Sequence, residues 1–237
     1  EPCKYEPPQD DFLREAQSLC QHHGALFILD ETITGFRMHA GGGQALYGIT
    51  PDLSVWGKGM ANGFSLSALA GRRELMELGG LKSSKPRVFL LSTTHGGETH
   101  AMAAGIATMN IYRDEPVVET IHAQGEKLAR SWREITANHG LEDCLPVTGF
   151  PCNLVFGTHD GHGLPSQGFR TLFLQELIRR GVVAPSLVLS YAHSDIYIEQ
   201  TIDASDGAAE VYKRALSDGY EKYLIGEPSQ VVYRKYN

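Results

Sequence analysis

The sequence predicts an α/β fold in two parts, a larger α/β region followed by a smaller one. Two observations carry this. Short continuous apolar runs at 25–29, 53–56, 67–70 and 88–91 alternate with helical patterns, and runs of that length mark strands covered on both faces. After Asn138-His139-Gly140 the pattern shifts to shorter strands between helices. The expected domains are therefore 1–138 and 139–237.

Each element has a local reason. Asp10 reads as the N-cap of a helix reaching about His23, with Phe12, Ala16, Leu19 and Cys20 at helical spacing and Gly24 as its stop. Residues 34–50 are Gly-rich and predict a long loop turning at Gly41-Gly42-Gly43. Glu98 to about Tyr112 reads as a helix whose small residues (Ala101, Ala103, Ala104, Gly105, Ala107) suit close packing. Glu115 to about Asn138 continues as a long amphipathic helix, with Pro116 in its first turn. Beyond the joint, strands are expected at 153–157, 182–183 and 187–190, and helices at 166–180 and 196–217.

Composition narrows the class. The 237 residues are 42% hydrophobic and 21% charged, an ordinary globular balance, and the net charge of -7 argues against a nucleic-acid or membrane-surface partner. Cys3, Cys20, Cys144 and Cys152 show no CxxC spacing, which predicts neither a disulfide framework nor a metal site and makes a reducing cytoplasm the expected location. The histidines, including His22-His23 and the His159/His162 pair, have no metal-ligand spacing with cysteine. No apolar run reaches the roughly 18 residues of a membrane span, and no signal peptide is visible. The chain opens Glu1-Pro2-Cys3 rather than with methionine, so an upstream portion is expected.

The chemistry-bearing residues sit at predicted strand ends. Asp30 follows the run 25–29, and in an open α/β sheet ligands bind beyond the carboxyl ends of the strands. Lys58 comes 28 residues later, just past the run 53–56, flanked by Gly57 and Gly59, which permit close backbone approach to a ligand. An acid and a lysine so placed can hold a pyridine-aldehyde cofactor, the lysine by a Schiff base and the acid by keeping the ring nitrogen protonated. Taken singly, Asp30 also reads as a turn residue and Lys58 as a surface lysine. Ser92-Thr93-Thr94-His95-Gly96-Gly97 precedes the helix at Glu98, where hydroxyls and amides suit a phosphate. On spacing alone, helix capping is the better reading there.

The residues 24–37, with Leu29-Asp30-Glu31-Thr32-Ile33-Thr34-Gly35-Phe36-Arg37, then Tyr47-Gly48-Ile49-Thr50-Pro51-Asp52-Leu53 and Trp56-Gly57-Lys58-Gly59-Met60-Ala61-Asn62-Gly63, resemble the class III aminotransferases of PLP fold type I. Within them the match is to the glutamate-1-semialdehyde aminomutase group. Gly71-Arg72-Arg73-Glu74-Leu75-Met76 and the segment from Thr94-His95-Gly96-Gly97 to Ala101-Met102-Ala103-Ala104 follow in the family's order. The resemblance covers most of 1–112 and continues more weakly through Arg170-Thr171-Leu172-Phe173 and Tyr191-Ala192-His193.

The resemblance implies the C-terminal part of a large, mostly parallel-sheet domain plus the small domain, with pyridoxal 5'-phosphate as cofactor. It implies that Asp30 pairs with the pyridine nitrogen, that Lys58 forms the Schiff base and shuttles protons, and that Thr94 binds cofactor phosphate across a homodimer with shared active sites. Thr32 stands where the family usually has Val against the ring; it keeps a methyl and adds a hydroxyl that needs a partner. Ile33 replaces a frequent Gln, as the aminomutase branch does, and Glu98-Thr99 replaces the usual Asn-Pro. The expected reaction moves an amino group between a small-molecule donor and a keto or aldehyde acceptor. The alternatives are glutamate-1-semialdehyde 2,1-aminomutase proper, or a truncated non-catalytic subunit needing an upstream half. Arg37 reads equally as a substrate-carboxylate guide or an ion-pair partner, and Glu31 as a cofactor contact or a loop brace. His193 reads better as a hydrogen-bonded structural residue than as a site group, and Arg234 and Lys235 as solvated.

Overall fold

A three-stranded sheet organises the first part of the structure, a computed structural model that describes residues 7–86 and 97–230. The chain divides into two compact units, 7–119 and the residues from Thr120 onward. The division falls near the start of a long helix whose other end carries the expected domain line at 138/139.

In the first unit, α1 (Phe12–His22) leads into β1 (Ile28–Asp30), α2 (Gly42–Tyr47), β2 (Leu53–Trp56), β3 (Ala68–Gly71), α3 (Arg73–Met76) and α4 (Thr99–Asp114). β1 and β2 are parallel, with Asp30 opposite Val55, while β3 runs antiparallel to β2 with Gly71 opposite Leu53. Asp52 ties one end of this sheet. Its carboxylate accepts the Phe27 N–H at 2.9 Å and an Arg72 guanidinium N–H at 2.8 Å, so the entrances to β1 and β2 and the exit of β3 are fastened together.

Several expectations shift. The first strand is expected at 25–29, but its ladder starts at Ile28. Ala25 N–H is still bonded to Cys20 O at 2.8 Å, completing the exit of α1, and Phe27 N–H is taken by Asp52. Nor is β1 fully covered on both faces: Ile28 is 55% exposed and no residue of α1 is buried. The 34–50 stretch, expected as loop, contains α2. The Glu31 carboxylate receives the Gly43 and Gln44 N–H groups at 2.8 and 2.7 Å and stabilises the helix start from twelve residues away. Gly42 (φ +75°) lies so near that a Cβ there would be 2.6 Å from the same carboxyl group, so only glycine fits. The expected strand 88–91 lies outside the described residues.

The second unit takes most of α5 (Val117–His139), then β4 (Val147–Phe150), β5 (Asn153–Phe156), α6 (Gln167–Arg179), β6 (Leu187–Val188) and α7 (Asp195–Asp218). The strands form one antiparallel sheet in the order β4-β5-β6. β4 is additional to the sequence reading. The expected strand at 182–183 does not form, because Gly181 (φ +82°) and the Val182 N–H bond to Leu177 O (3.0 Å) make it the closing turn of α6. The expected 187–190 strand shortens to two residues.

The core here is closed. Trp132, Phe156 and Phe173 meet at ring-centroid distances of 5.2 to 5.5 Å, and Trp132 Nε1 donates to Leu145 O at 2.8 Å. Leu172, Leu177 and Ala208 are completely buried beside them. Gly125 on α5 lies against the Pro151 main chain, and any Cβ there would clash with it. Burial of Glu176 on α6 pushes its carboxyl up, yet the hydrogen bond and charge of Arg180, with the charge of Arg179, prevail and hold it below the ordinary carboxylate range.

Candidate active site

Asp30 and Lys58 lie at the sheet end opposite the Asp52 clasp. Asp30 is the last residue of β1 and its side chain is exposed. The Thr32 hydroxyl bears on its carboxylate, the Thr32 main-chain N–H donates to Oδ1 at 2.8 Å, and the positive charge of Lys58 adds to both. These hold the Asp30 carboxyl below its ordinary range, so it is ionised at neutral pH.

Lys58 follows β2 by two residues and is also exposed. Gly57 is buried, and the chain then turns sharply, with Met60 N–H donating to Gly57 O at 3.1 Å and Asn62 N–H to Lys58 O at 3.2 Å. Lys58 itself takes φ +45°, a left-handed conformation that costs a non-glycine residue about 1 kcal/mol or more. The surrounding packing holds it there. Phe36, also left-handed at φ +59°, sets its ring edge-on to Trp56 at 5.9 Å and to Tyr112 at 5.3 Å, and the Tyr112 hydroxyl donates to Phe36 O. A Cβ on Gly35 would sit 2.5 Å from the Trp56 ring, and one on Gly59 3.3 Å from Phe36 Cβ. The loop after Asp30 and the turn at Lys58 are thus pressed together by aromatic packing.

Thr32 is half-buried between them. Its Cγ2 methyl lies 3.4 Å from where a Gly57 Cβ would stand. Glu31 is fully buried and braces the loop, also receiving the Thr34 hydroxyl, so of its two readings the loop brace is the one the geometry displays. Sequence reasoning left open that Glu31 shapes the site. The one local signal was a second carboxylate beside Asp30 facing a glycine triplet. Arg37 is half-buried on the same loop, its N–H bonded to Thr34 O at 3.3 Å. Thr94 and its neighbours 92–96 lie outside the described residues, as do Arg234 and Lys235. In the second unit, His193 Nδ1 accepts the Ser190 N–H at 3.2 Å, a local structural bond.

The structure therefore brings together an ionised carboxylate and an accessible primary amine at the carboxyl ends of adjacent parallel strands. Such a pair can stabilise a protonated ring nitrogen at one point and capture a carbonyl carbon at another. Among the described residues no His, Cys, Asp and Glu cluster is arranged to hold a metal ion, and no helix is long and apolar enough to cross a membrane.

Comparison with known proteins gives a consistent set. A family model described as aminotransferase class-III matches residues 5–153. Glutamate-1-semialdehyde 2,1-aminomutase of Desulforudis audaxviator is 36% identical over 211 residues, covering 85% of this chain and 48% of that protein. The protein of the same name from Neisseria meningitidis serogroup A is 33% identical over 220 residues, covering 87% and 49%. Among solved structures, the PLP internal aldimine form of the FumI protein of Sphingopyxis sp. MTA144 superposes with a TM-score of 0.79 at 29% identity, covering 91% of this chain and 50% of that one. The chain spans about half the length of these relatives.

Proposed function

The chain belongs to the class-III aminotransferase family and has the PLP-dependent transferase fold of type I, and from that premise we propose that it forms the catalytic-lysine half of a pyridoxal-phosphate enzyme that moves amino groups. The observation that carries this is the placement of Asp30 and Lys58 at neighbouring parallel strand ends, both exposed, with Asp30 held ionised. The residues fit the cofactor: a pyridinium needs an ionised carboxylate, and an aldehyde needs an accessible amine.

When bound, pyridoxal phosphate supplies the carbonyl that captures an amine and the ring that accepts the electron pair left when a substrate C–H proton departs. Asp30 would keep the ring nitrogen protonated. Lys58 Nζ would hold the cofactor's aldehyde group and, as a free amine, would take a proton from the substrate carbon and pass it on as a general acid. Thr32 would offer its methyl to the ring, and Thr94 would contribute to holding the phosphate. In this reading residues 1–138 belong to the large cofactor-binding domain and 139–237 form the small one. The enzyme is a homodimer with shared sites, works in the cytoplasm, and takes a small-molecule amino donor and a keto or aldehyde acceptor.

A second reading, aminomutase chemistry on glutamate-1-semialdehyde, is favoured by the names of the two relatives above and by the apolar Ile33 beside Thr32. The experiment supplies the chain with pyridoxal phosphate, glutamate-1-semialdehyde, and separately an amino-acid donor with a keto-acid acceptor. Product formation that disappears in Lys58→Ala and falls at least about a hundredfold in Asp30→Asn is expected. Equal turnover in Lys58→Ala contradicts the reading. A chain inert in both assays even when the missing half of its relatives is supplied points to a non-catalytic subunit.

A further inference from the structure

Two residues of the first unit hold the left-handed backbone conformation beside one aromatic cluster: Phe36 at φ +59°, on the loop that follows Asp30, and Lys58 at φ +45°, just past β2. Neither is glycine, asparagine or aspartate, the types that adopt this conformation most readily, so each must be held by its surroundings. For Phe36 a holding contact comes from 76 residues away. The Tyr112 hydroxyl, in the last turn of α4, donates to Phe36 O, and the two rings meet edge-on at 5.3 Å. The Phe36 ring also meets Trp56 edge-on at 5.9 Å. Trp56 is the last residue of β2, two before Lys58, and its indole is fixed at the polar end as well, with Nε1 donating to Ser54 Oγ at 2.8 Å. A line of direct contacts therefore runs from Tyr112 through Phe36 to the strand end from which Lys58 emerges, all of it within the unit 7–119.

We propose that Tyr112 is a positioning residue for Lys58: its hydroxyl pins the Phe36 carbonyl, and the Phe36 ring so placed holds Trp56, and the turn beyond it, against the loop after Asp30. Phe36 and Trp56 are both only half-buried, so ring contacts alone leave the loop room to relax out of its left-handed conformation. A side-chain bond to the main chain removes that freedom at the residue that is strained. The Lys58 turn itself is closed by two bonds, Met60 N–H to Gly57 O at 3.1 Å and Asn62 N–H to Lys58 O at 3.2 Å. An amine that must reach a ring aldehyde while Asp30 meets the ring nitrogen tolerates little misplacement. Tyr112 touches neither Asp30 nor the cofactor in this scheme; it acts on Lys58 through Phe36 and Trp56.

This role rests on the reading of Lys58 as the cofactor anchor, yet its first test needs no cofactor. Amide hydrogen exchange is followed in the whole chain. Tyr112→Phe keeps the ring and removes the hydroxyl; Phe36→Leu keeps the carbonyl and removes the ring. Both quicken exchange at Met60 and Asn62 by about tenfold, while the amides of α6 and α7 keep their wild-type rates. Thr108→Val removes a hydroxyl bonded to Ala104 O at 2.9 Å on the same helix, and leaves Met60 and Asn62 unchanged. Borohydride trapping with pyridoxal gives the second readout: label on Lys58, counted against Lys213 in the same sample, falls about tenfold in Tyr112→Phe and in Phe36→Leu. Exchange at Met60 and Asn62 that is unmoved in Tyr112→Phe, or equally quickened in Thr108→Val, overturns the positioning role. So does quickened exchange with Lys58 labelling at the wild-type level. A wild-type chain that takes no label on Lys58 contradicts the anchor assignment instead, and the exchange rates then still judge Tyr112.

Discussion

The two units of this chain are built to different degrees of closure. The second builds a fully buried aromatic cluster: Phe173 and Tyr212 are at 1% and 0% exposure, and the rings of Trp132 and Phe156 complete it, although Ile196 and Ile225 stay exposed at the unit's surface. The first has no such cluster among its described residues and leaves several helix faces open. Leu19 on α1 and Ile106 on α4 are both 62% exposed, and Met102 and Met109 extend the same helical face of α4. Yet it is the first unit that carries Asp30 and Lys58. Its order comes from polar fastening and local aromatic packing rather than from a filled core. Asp52 clasps one end of the sheet, buried Glu31 braces the loop, and Phe36, Trp56 and Tyr112 lock the turn. The chain spans about half the length of its relatives, and the open apolar faces lie in the unit that contains the candidate site. Catalytic geometry and hydrophobic closure are separate properties here.

That contrast can be broken or sharpened by substitution. The largest effect is expected in the closed core: Phe173→Ala removes the ring that touches Trp132, Phe156 and Tyr212, and costs the second unit about 3–5 kcal/mol in urea unfolding. Tyr212→Phe comes next. The Tyr212 hydroxyl, pushed far up by burial, donates to His159 O at 2.6 Å, and its removal leaves that carbonyl short of a partner at a cost of about 1–2 kcal/mol. Smallest is Leu19→Ser on the open face of α1, expected within about 0.5 kcal/mol of wild type. A destabilisation matching that of Phe173→Ala would show that α1 is covered after all.

The polar fastening of the first unit has its own signature in acid. The Phe27 N–H and the Arg72 guanidinium hold the Asp52 carboxyl below its ordinary range. The folded state thus favours the charged form. The contribution is complete above the unfolded carboxylate value near pH 4, and is lost as pH falls through the lower folded value. Asp52→Asn therefore lowers stability at neutral pH, and the gap between variant and wild type narrows below about pH 4 in unfolding measurements. A gap independent of pH would mean that the clasp works through shape rather than charge.

The long helices and the two strand ends of the site were legible because their signals are local. Helical spacing with Gly stops bounded α1, and Gly57 and Gly59 flagged the turn around Lys58. α2 was not legible because its cap is Glu31, twelve residues upstream, where no capping rule looks. β4 escaped because Gly149 (φ +97°) interrupts it and its stability comes from pairing with β5. The apolar run 25–29 reads as a doubly covered strand, but coverage is supplied by other elements and cannot be read from the run itself. Within the site, the bond from the Thr32 main-chain N–H to Asp30 Oδ1 is a local turn contact that no sequence pattern announced.

The most direct test of the central claim is borohydride trapping. The chain is incubated with pyridoxal phosphate and reduced, and the modified peptide is located by mass spectrometry. A pyridoxyl group carried predominantly on Lys58 is the predicted result. Label scattered over other lysines, with Lys58 unmodified, would contradict the assignment of this lysine as the cofactor anchor.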